Sequence, residues 1–373
     1  VKSSATKRIL VGLSGGVDSS VAAARLVKAG HEVVGAFIKT WQPDGVPCNW
    51  REERRSAMRA AAHLRIPFIT VDLSEIYKRE VIDEMLAAYA SGLVPNPDVL
   101  CNQRVKFGAF LAFARAHGFD AIATGHYVRK RTIKGLHRLF RAVDTEKDQS
   151  YFLWTLTQDV LASVEFPIGN TKKSSIREEA RTLGLPTATK KDSQGLCFIG
   201  PLDVHEFLRR ELRTTPGKIR NERGEIIGEH DGAALYAIGQ RQHLRIAPRA
   251  STSTPYYVVA KDIRTNTLVV SPITPANRTQ GGMKTLRLSN VGEVFPGALA
   301  ATAGLLLQTR YHGPLTNIKT LRIKNADARI TLQDPLFDIS PGQSAVMYSG
   351  NELLGGGIII DPNRSRIAHF TAS

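Results

Sequence analysis

Short unbroken apolar runs in the first third of the chain give way to shorter alternating ones towards its end. The runs Arg8–Leu13, Glu32–Ile38, Pro67–Val71 and Ala121–Thr124 predict strands buried on both faces. Between them, Asp18–Ala29, Glu52–Leu64, Ile76–Ala90 and Gln103–His117 carry helical periodicity. In the last of these, Phe107, Phe110, Leu111 and Ala114 form one apolar stripe. Strand and helix in alternation predict a parallel sheet in an α/β layer, whose ligands sit outside the carboxyl ends of the strands.

Two more helical stretches follow, Lys172–Leu183 and Leu202–Glu211, and Pro216-Gly217 then marks a change of texture. Beyond it Tyr256–Lys261, Leu268–Ser271, Thr285–Leu288, Leu321–Ile323, Ala345–Tyr348 and Glu352–Leu354 alternate between turn residues, an all-β pattern. Thr279-Gln280-Gly281-Gly282 reads as a linker. The expected organisation is an α/β N-terminal domain over 1–215, a small, mostly β central domain over 216–280 and a C-terminal β-barrel over 281–373.

Charge sharpens this picture. The 373 residues hold 50 Lys and Arg against 34 Asp and Glu, a net +16, which favours a polyanionic partner such as a nucleic acid. The hydrophobic share of 42% excludes a chain disordered throughout, and no apolar run is long enough to span a bilayer. The three cysteines, Cys48, Cys101 and Cys197, form no disulfide framework and no zinc spacing. A cytoplasmic protein without a membrane partner is expected.

The first run leads into Gly12-Leu13-Ser14-Gly15-Gly16-Val17-Asp18-Ser19-Ser20 and then a helix. A Gly-rich turn there aims backbone N–H groups and the positive end of the helix dipole at an anion. Asp18 does not favour a bare phosphate, so it acts through Mg²⁺ on a polyphosphate. The Gly-Lys-Ser/Thr ending of the kinase-type loop is missing. The string resembles the PP-loop of the N-type ATP pyrophosphatases, which cleave ATP between the α and β phosphates and adenylate a substrate.

Cys101 precedes the Gln103–His117 pattern, with Arg104 and Lys106 close by, and Cys197 lies in the polar, doubly basic stretch Lys190–Phe198. Both settings favour a thiolate. Cys48, in Pro47-Cys48-Asn49-Trp50, reads as a small buried hydrophobe.

Together these strings resemble the tRNA-specific 2-thiouridylase family (MnmA). The resemblance rests on the Gly12–Ser20 loop, PNPDVLCNQRVKFG at 95–108, TGHY at 124–127 and KDQSYFL at 147–153, then KDSQGLCFIG at 191–200, IGQR at 238–241 and PGQSAV at 341–346. It implies 2-thiolation of the wobble uridine of tRNA, with ATP and Mg²⁺ bound at Gly12–Ser19 and aided by Ile38 and Gly125. Cys101 would be the nucleophile, and Cys197 would carry persulfide sulfur from a donor protein, either a cysteine desulfurase or a relay protein. Asn96, Pro97 and Asp98 would lie against the target base. On chemical grounds Asp98, three residues before Cys101, serves as general acid/base if burial raises its pKa. His126, Lys147, Asp148, Gln149, Arg310, Tyr311 and Gln343 would contact tRNA.

Two departures stand out. The segment 242–254 carries His243 and Arg245 where the family is Gly-rich, and Ile38 replaces a common Met. The residues alone leave two other readings open, a PP-loop enzyme that activates a small molecule for amination or ligation, and a non-catalytic RNA-binding protein that retains an ATP fold. The basic charge and the second cysteine set the thiolation reading apart from the first, and ATP turnover sets it apart from the second.

Overall fold

The computed structural model describes residues 6–43, 50–191, 203–247, 255–272, 282–300, 304–337 and 339–360. The first strand, β1 (Arg8–Gly12), sits in the middle of a five-stranded sheet with β2 (Glu32–Lys39), β3 (Phe68–Asp72), β4 (Ala121–Ala123) and β7 (Val164–Glu165). Their order is β3-β2-β1-β4-β7, and every pairing is parallel. Ile9, Leu10, Val11, Ile122 and Ala123 have no exposed surface, as expected of strands covered on both faces. The chain leaves β1 towards β2 and later returns to its other side as β4. This reversal opens a crevice beyond the carboxyl ends of β1 and β4.

Helix α1 (Val17–Lys28) follows β1 directly, and α2 (Trp50–His63) lies between β2 and β3. The pattern read as Ile76–Ala90 is one helical run from Ser74 to Ala90, with π geometry at Lys78–Asp83. The pattern read as Gln103–His117 begins six residues earlier. Asn96 caps the segment Pro97–Leu100, which continues as a π-helix over Cys101–Ala109 and an α-helix over Phe110–Ala116. Asn96 Oδ1 accepts from the backbone N–H of Asp98 (3.1 Å) and Val99 (3.3 Å), and Pro97 occupies a first-turn position where its missing N–H is harmless.

A basic hairpin, β5 (Val128–Ile133) and β6 (Leu136–Arg141), leaves the parallel sheet and joins the distant C-terminal half. There β13 (Met283–Glu293), β14 (Leu305–Gln308), β15 (Thr316–Lys324), β16 (Asp327–Leu336), β17 (Ser344–Ser349) and β18 (Glu352–Ile360) follow the order 13-16-15-14-17-18. Pairing of β13 with β18 closes them into a six-stranded antiparallel barrel, and β6 adds to β18. Between the two units lies a five-stranded sheet of β8 (Gly217–Arg220), β9 (Ile226–His230), β10 (Arg245–Ile246), β11 (Tyr256–Asp262) and β12 (Thr267–Pro272).

One buried apolar cluster runs from Leu10 through Phe107 and Trp154 to Ile359, crossing all three regions. Hydrogen bonds fix the docking of the barrel. Tyr151 donates its hydroxyl to Ser344 C=O (2.9 Å), and Trp154 Nε1 donates to Ser344 Oγ (3.1 Å). Burial removes water as a competitor, so each bond selects one orientation of the domains.

The departure at 242–254 now has a physical role in its described part. The His243 ring stacks on His205 at 4.2 Å and 4°, and Arg245 pairs with Asp231 at 2.5 Å. His205 belongs to the helix Val204–Leu212, so these residues fasten the central sheet to that helix. Among the described residues no helix is long and apolar enough to cross a membrane.

Candidate active site

The Gly-rich turn occupies the crevice between β1 and β4. Gly15 adopts φ +77°, and any side chain there would collide with the Glu53 carbonyl, so the turn is seated against α2. A Cβ on Gly125, just after β4, would lie 2.7 Å from Ser19 N, so the two loops touch at the start of α1. Ser19 Oγ accepts from Ser14 N (3.2 Å), Ser20 Oγ donates to Gly16 C=O (2.8 Å) and Ser56 Oγ to Gly15 C=O (2.9 Å). The hydroxyls thus hold the turn in shape as well as lining it. Ile38 is half-buried on the carboxyl-end half of β2, and its Cδ1 would lie 3.9 Å from a Cβ at Gly12.

Two lysines that sequence reading missed flank the turn. Lys173 Nζ lies 2.6 and 2.8 Å from the two oxygens of Asp18, and the Tyr127 hydroxyl donates to Asp18 Oδ1 at 2.7 Å. Lys190 Nζ donates to Gly15 C=O (3.1 Å) and pairs with Glu53 (3.0 Å). Their positions, at the start and just past the end of the helix Lys173–Thr182, carry no local signal of closeness to a loop more than 150 residues earlier.

A second concavity of about 250 Å³ lies where the barrel meets the N-terminal domain. Met85, Tyr89, Phe152 and Val204 give it apolar walls, and Asn96, Asp98, Tyr311 and Gln343 supply polar groups. Five expected tRNA-facing residues, Asn96, Pro97, Asp98, Tyr311 and Gln343, meet here although they are up to 247 positions apart (343 − 96). Phe152 and Tyr311 lie ring to ring at 4.5 Å, and His312 packs on Tyr311 at 3.9 Å. Arg310, Tyr311 and His312 are exposed, and Tyr311 lines the cavity. Burial first, then nearby carboxylates, push the Tyr311 phenol up to about 12, so it stays neutral.

Asp98 is half-buried in this wall, and its carboxyl lies above the usual range. Burial raises it and the positive charge of Lys106 partly opposes the rise. Cys101 stands three residues on, on the same face of the helix, and is 3% exposed. It therefore lies one turn inside a helix, at the start of the π segment, rather than ahead of a helix as the sequence pattern predicts. π geometry is frequent at functional sites because it re-aims side chains. Cys48 and Cys197 fall outside the described residues.

Two expected RNA contacts are placed differently. Asp148 is 4% exposed and spends its carboxylate on the fold, accepting from Ala142 N (2.9 Å), Arg141 Nε (2.9 Å) and Ser150 Oγ (3.0 Å). His126 is 7% exposed, with Nδ1 2.8 Å from Thr124 Oγ1 and its ring 5.5 Å from that of Phe107. Burial, then the Lys106 charge, hold the imidazole well below its ordinary pKa, so it is neutral. Gln149 accepts from Tyr127 N (3.0 Å) and braces the loop whose Tyr127 reaches Asp18. Lys147 is half-buried in the preceding turn.

A PP-loop-type α/β domain, a small β domain and a barrel that shares an open pocket with the first define a three-part nucleotide-loop architecture. Residues 7–201 match the family profile described as "tRNA methyl transferase HUP domain", 205–272 the "tRNA methyl transferase PRC-barrel domain" and 286–359 the "Aminomethyltransferase beta-barrel domain". The chain is 42% identical over 356 residues to a tRNA-specific 2-thiouridylase MnmA of Chromobacterium violaceum, covering 95% of this chain and 92% of that one. It is 40% identical over 354 residues to the MnmA of Akkermansia muciniphila, covering 94% and 98%. Among solved structures, a 4-thiouridine synthetase–RNA complex with bound ATP aligns with 56% of this chain and 50% of its own, at 15% identity and a TM-score of 0.33. The chain belongs to the tRNA-specific 2-thiouridylase MnmA family.

Proposed function

We propose that this protein is an ATP-dependent tRNA sulfurtransferase that converts the wobble uridine, position 34, to 2-thiouridine. The observation that carries the reading is the open 250 Å³ concavity beside the barrel, lined by Asp98, an aromatic pair and two carboxamides. A wobble base is already single-stranded and costs little to turn into such a space, where its faces stack on aromatic rings. The net charge of +16 suits a partner made of phosphates.

ATP is the co-substrate. The residues of the Gly-rich turn fit a polyphosphate, since the loop contacts at Gly15 and Gly125 leave backbone rather than side chains at the crevice. Mg²⁺ bound with the nucleotide would neutralise phosphate charge, and Asp18 is the carboxylate placed to hold it. The uracil O2 attacks the α-phosphorus, pyrophosphate leaves and the N3 proton is released, so a poor leaving group becomes a good one. The terminal sulfur of a Cys197 persulfide then attacks C2 and AMP departs. The Cys101 thiolate takes the inner sulfur of Cys197 as the S–S bond breaks, giving a Cys101–Cys197 disulfide and the 2-thio base, whose N3 regains a proton. Asp98, one turn from Cys101 on the same face, takes the thiol proton. An external dithiol reduces the disulfide before the next turnover, and a sulfur-donor protein reloads Cys197.

Nucleoside mass spectrometry of tRNA incubated with the protein, Mg-ATP and a persulfide source tests the reading. The expected product is 2-thiouridine, with one AMP and one pyrophosphate per thiolation. Pyrophosphate release without RNA would instead support activation of a small molecule.

A further inference from the structure

Two carboxamides line the cavity, and the backbone fixes which way each one faces. Asn96 Oδ1 is held by the N–H groups of Asp98 and Val99 at 3.1 and 3.3 Å, so its NH₂ is the free end. Gln343 is held the other way round. Its Nε2 donates to Val94 C=O at 2.7 Å and sits 3.5 Å from Pro95 C=O. The same barrel loop also accepts Val94 N at Pro341 C=O (2.8 Å), so Gln343 and the 94–96 backbone are one rigid unit. A planar carboxamide whose nitrogen faces those carbonyls turns Oε1 away from them. Amide orientations are ambiguous only where no partner distinguishes the two ends, and here partners fix both.

Both side chains line the cavity, Asn96 with a donor and Gln343 with an acceptor that the backbone does not take. Uracil presents the complement, a C4 carbonyl acceptor next to an N3–H donor. Cytosine presents the reverse, a C4 amino donor next to a bare N3 acceptor. Recognition falls on the O4–N3 edge because O2 is consumed by the reaction and has to remain free to attack phosphorus. We infer that Asn96 and Gln343 are the specificity-determining pair that admits uracil and rejects cytosine, Asn96 donating to O4 and Gln343 accepting from N3–H. This rests on the cavity being the target-base site, as proposed above.

Asn96→Asp offers a sharp test. Aspartate keeps the one cap acceptor that serves both Asp98 N and Val99 N but replaces the NH₂ donor with an acceptor oxygen. Gln343→Met is near-isosteric and removes the acceptor. The probes are two labelled anticodon stem–loops that differ only in a wobble uridine or cytidine, with affinities read by fluorescence anisotropy. The wild type should prefer the uridine loop by about tenfold or more, the scale of one two-point base contact. Both variants should cut that ratio at least about fivefold, and Asn96→Asp should bring it to one or below. Added negative charge weakens both RNAs alike, so the ratio isolates base reading from electrostatics and from any loosening of the loop. A wild-type ratio near one, or an unchanged ratio in either variant, overturns the inference. Thiolation of the uridine substrate by the wild type, measured in parallel, decides the function reading separately.

Discussion

Lys173 and Asp18 lie 155 positions apart, yet the lysine Nζ meets both carboxylate oxygens, at 2.6 and 2.8 Å, with the Tyr127 hydroxyl on one of them. The carboxylate of the Gly-rich turn is thus paired with a lysine in this structure, a partner it would exchange for Mg²⁺ as the lysine turns to the phosphates. A lysine placed there can meet the negative charge that grows on departing pyrophosphate. Lys173→Ala should lower single-turnover thiolation about a hundredfold. It should also weaken binding of a fluorescent ATP analogue, while tRNA affinity stays within about twofold, since no phosphate contact of the RNA is assigned to it. Asp18→Ala should abolish thiolation with tRNA binding again preserved. Loss of tRNA affinity with intact ATP turnover in either variant would move the nucleotide site elsewhere.

Much of this arrangement is legible in the chain, and the exceptions have physical causes. The parallel strands announce themselves because both faces are buried, which forces runs such as Ile9-Leu10-Val11. The helix at Pro97 is missed because Asn-Pro-Asp reads equally as a turn, and only the observed hydrogen bonds of Asn96 Oδ1 decide for a cap. The hairpin Val128–Arg141 hides behind its charges, Arg129, Lys130, Arg131, Lys134, Arg138 and Arg141. Its pairing with Glu352 and Leu353 is a long-range fact that no local pattern encodes. The cavity lined by Asn96 and Gln343 is legible only in pieces, because it forms where the barrel docks.

The position of Asp148 makes a stability prediction. Its carboxylate accepts four protein groups at once, Ala142 N, Ser150 N, Ser150 Oγ and Arg141 Nε, in a nearly dry setting. Asp148→Ala orphans these donors and should cost about 3 kcal/mol in urea unfolding. Were Asp148 a surface contact to RNA, stability would hardly change and tRNA affinity would fall instead.

The charge of the chain predicts a salt effect. Many lysines and arginines on phosphates release counterions, so log K for tRNA should fall steeply and linearly with log salt concentration. A slope near zero, measured by filter binding over a range of potassium chloride, would mean that the charge serves solubility alone.

Asp98 and Lys106 together set a pH dependence. Burial raises the Asp98 carboxyl above its usual range, and Lys106 pulls it part of the way back. A general base works when deprotonated, so the acid limb of the thiolation profile should lie above the ordinary aspartate range. Lys106→Met removes the lowering influence and should move that limb further up. His126 does not obscure the reading, because burial already keeps it neutral. Asp98→Asn should remove the activity together with the limb, and a limb that ignores Lys106 would assign it to another group.

The thiols give the most demanding test. Cys101 is buried one turn from Asp98, and in the proposed reaction it releases sulfur from Cys197. With persulfidated enzyme in a single turnover, the wild type should yield one 2-thiouridine and one Cys101–Cys197 disulfide, found by peptide mapping without reduction. Cys197→Ser has no atom to carry the terminal sulfur and should deliver none. Cys101→Ser should accept sulfur on Cys197 yet transfer it at least about a hundredfold more slowly, because a hydroxyl cannot replace a thiolate in breaking the S–S bond. The persulfide should then persist and be detectable by alkylation mass. Cys48→Ser should match the wild type. If Cys101→Ser thiolates tRNA at the wild-type rate and no Cys101–Cys197 peptide forms, sulfur reaches the base as free hydrosulfide and the two-thiol mechanism is wrong.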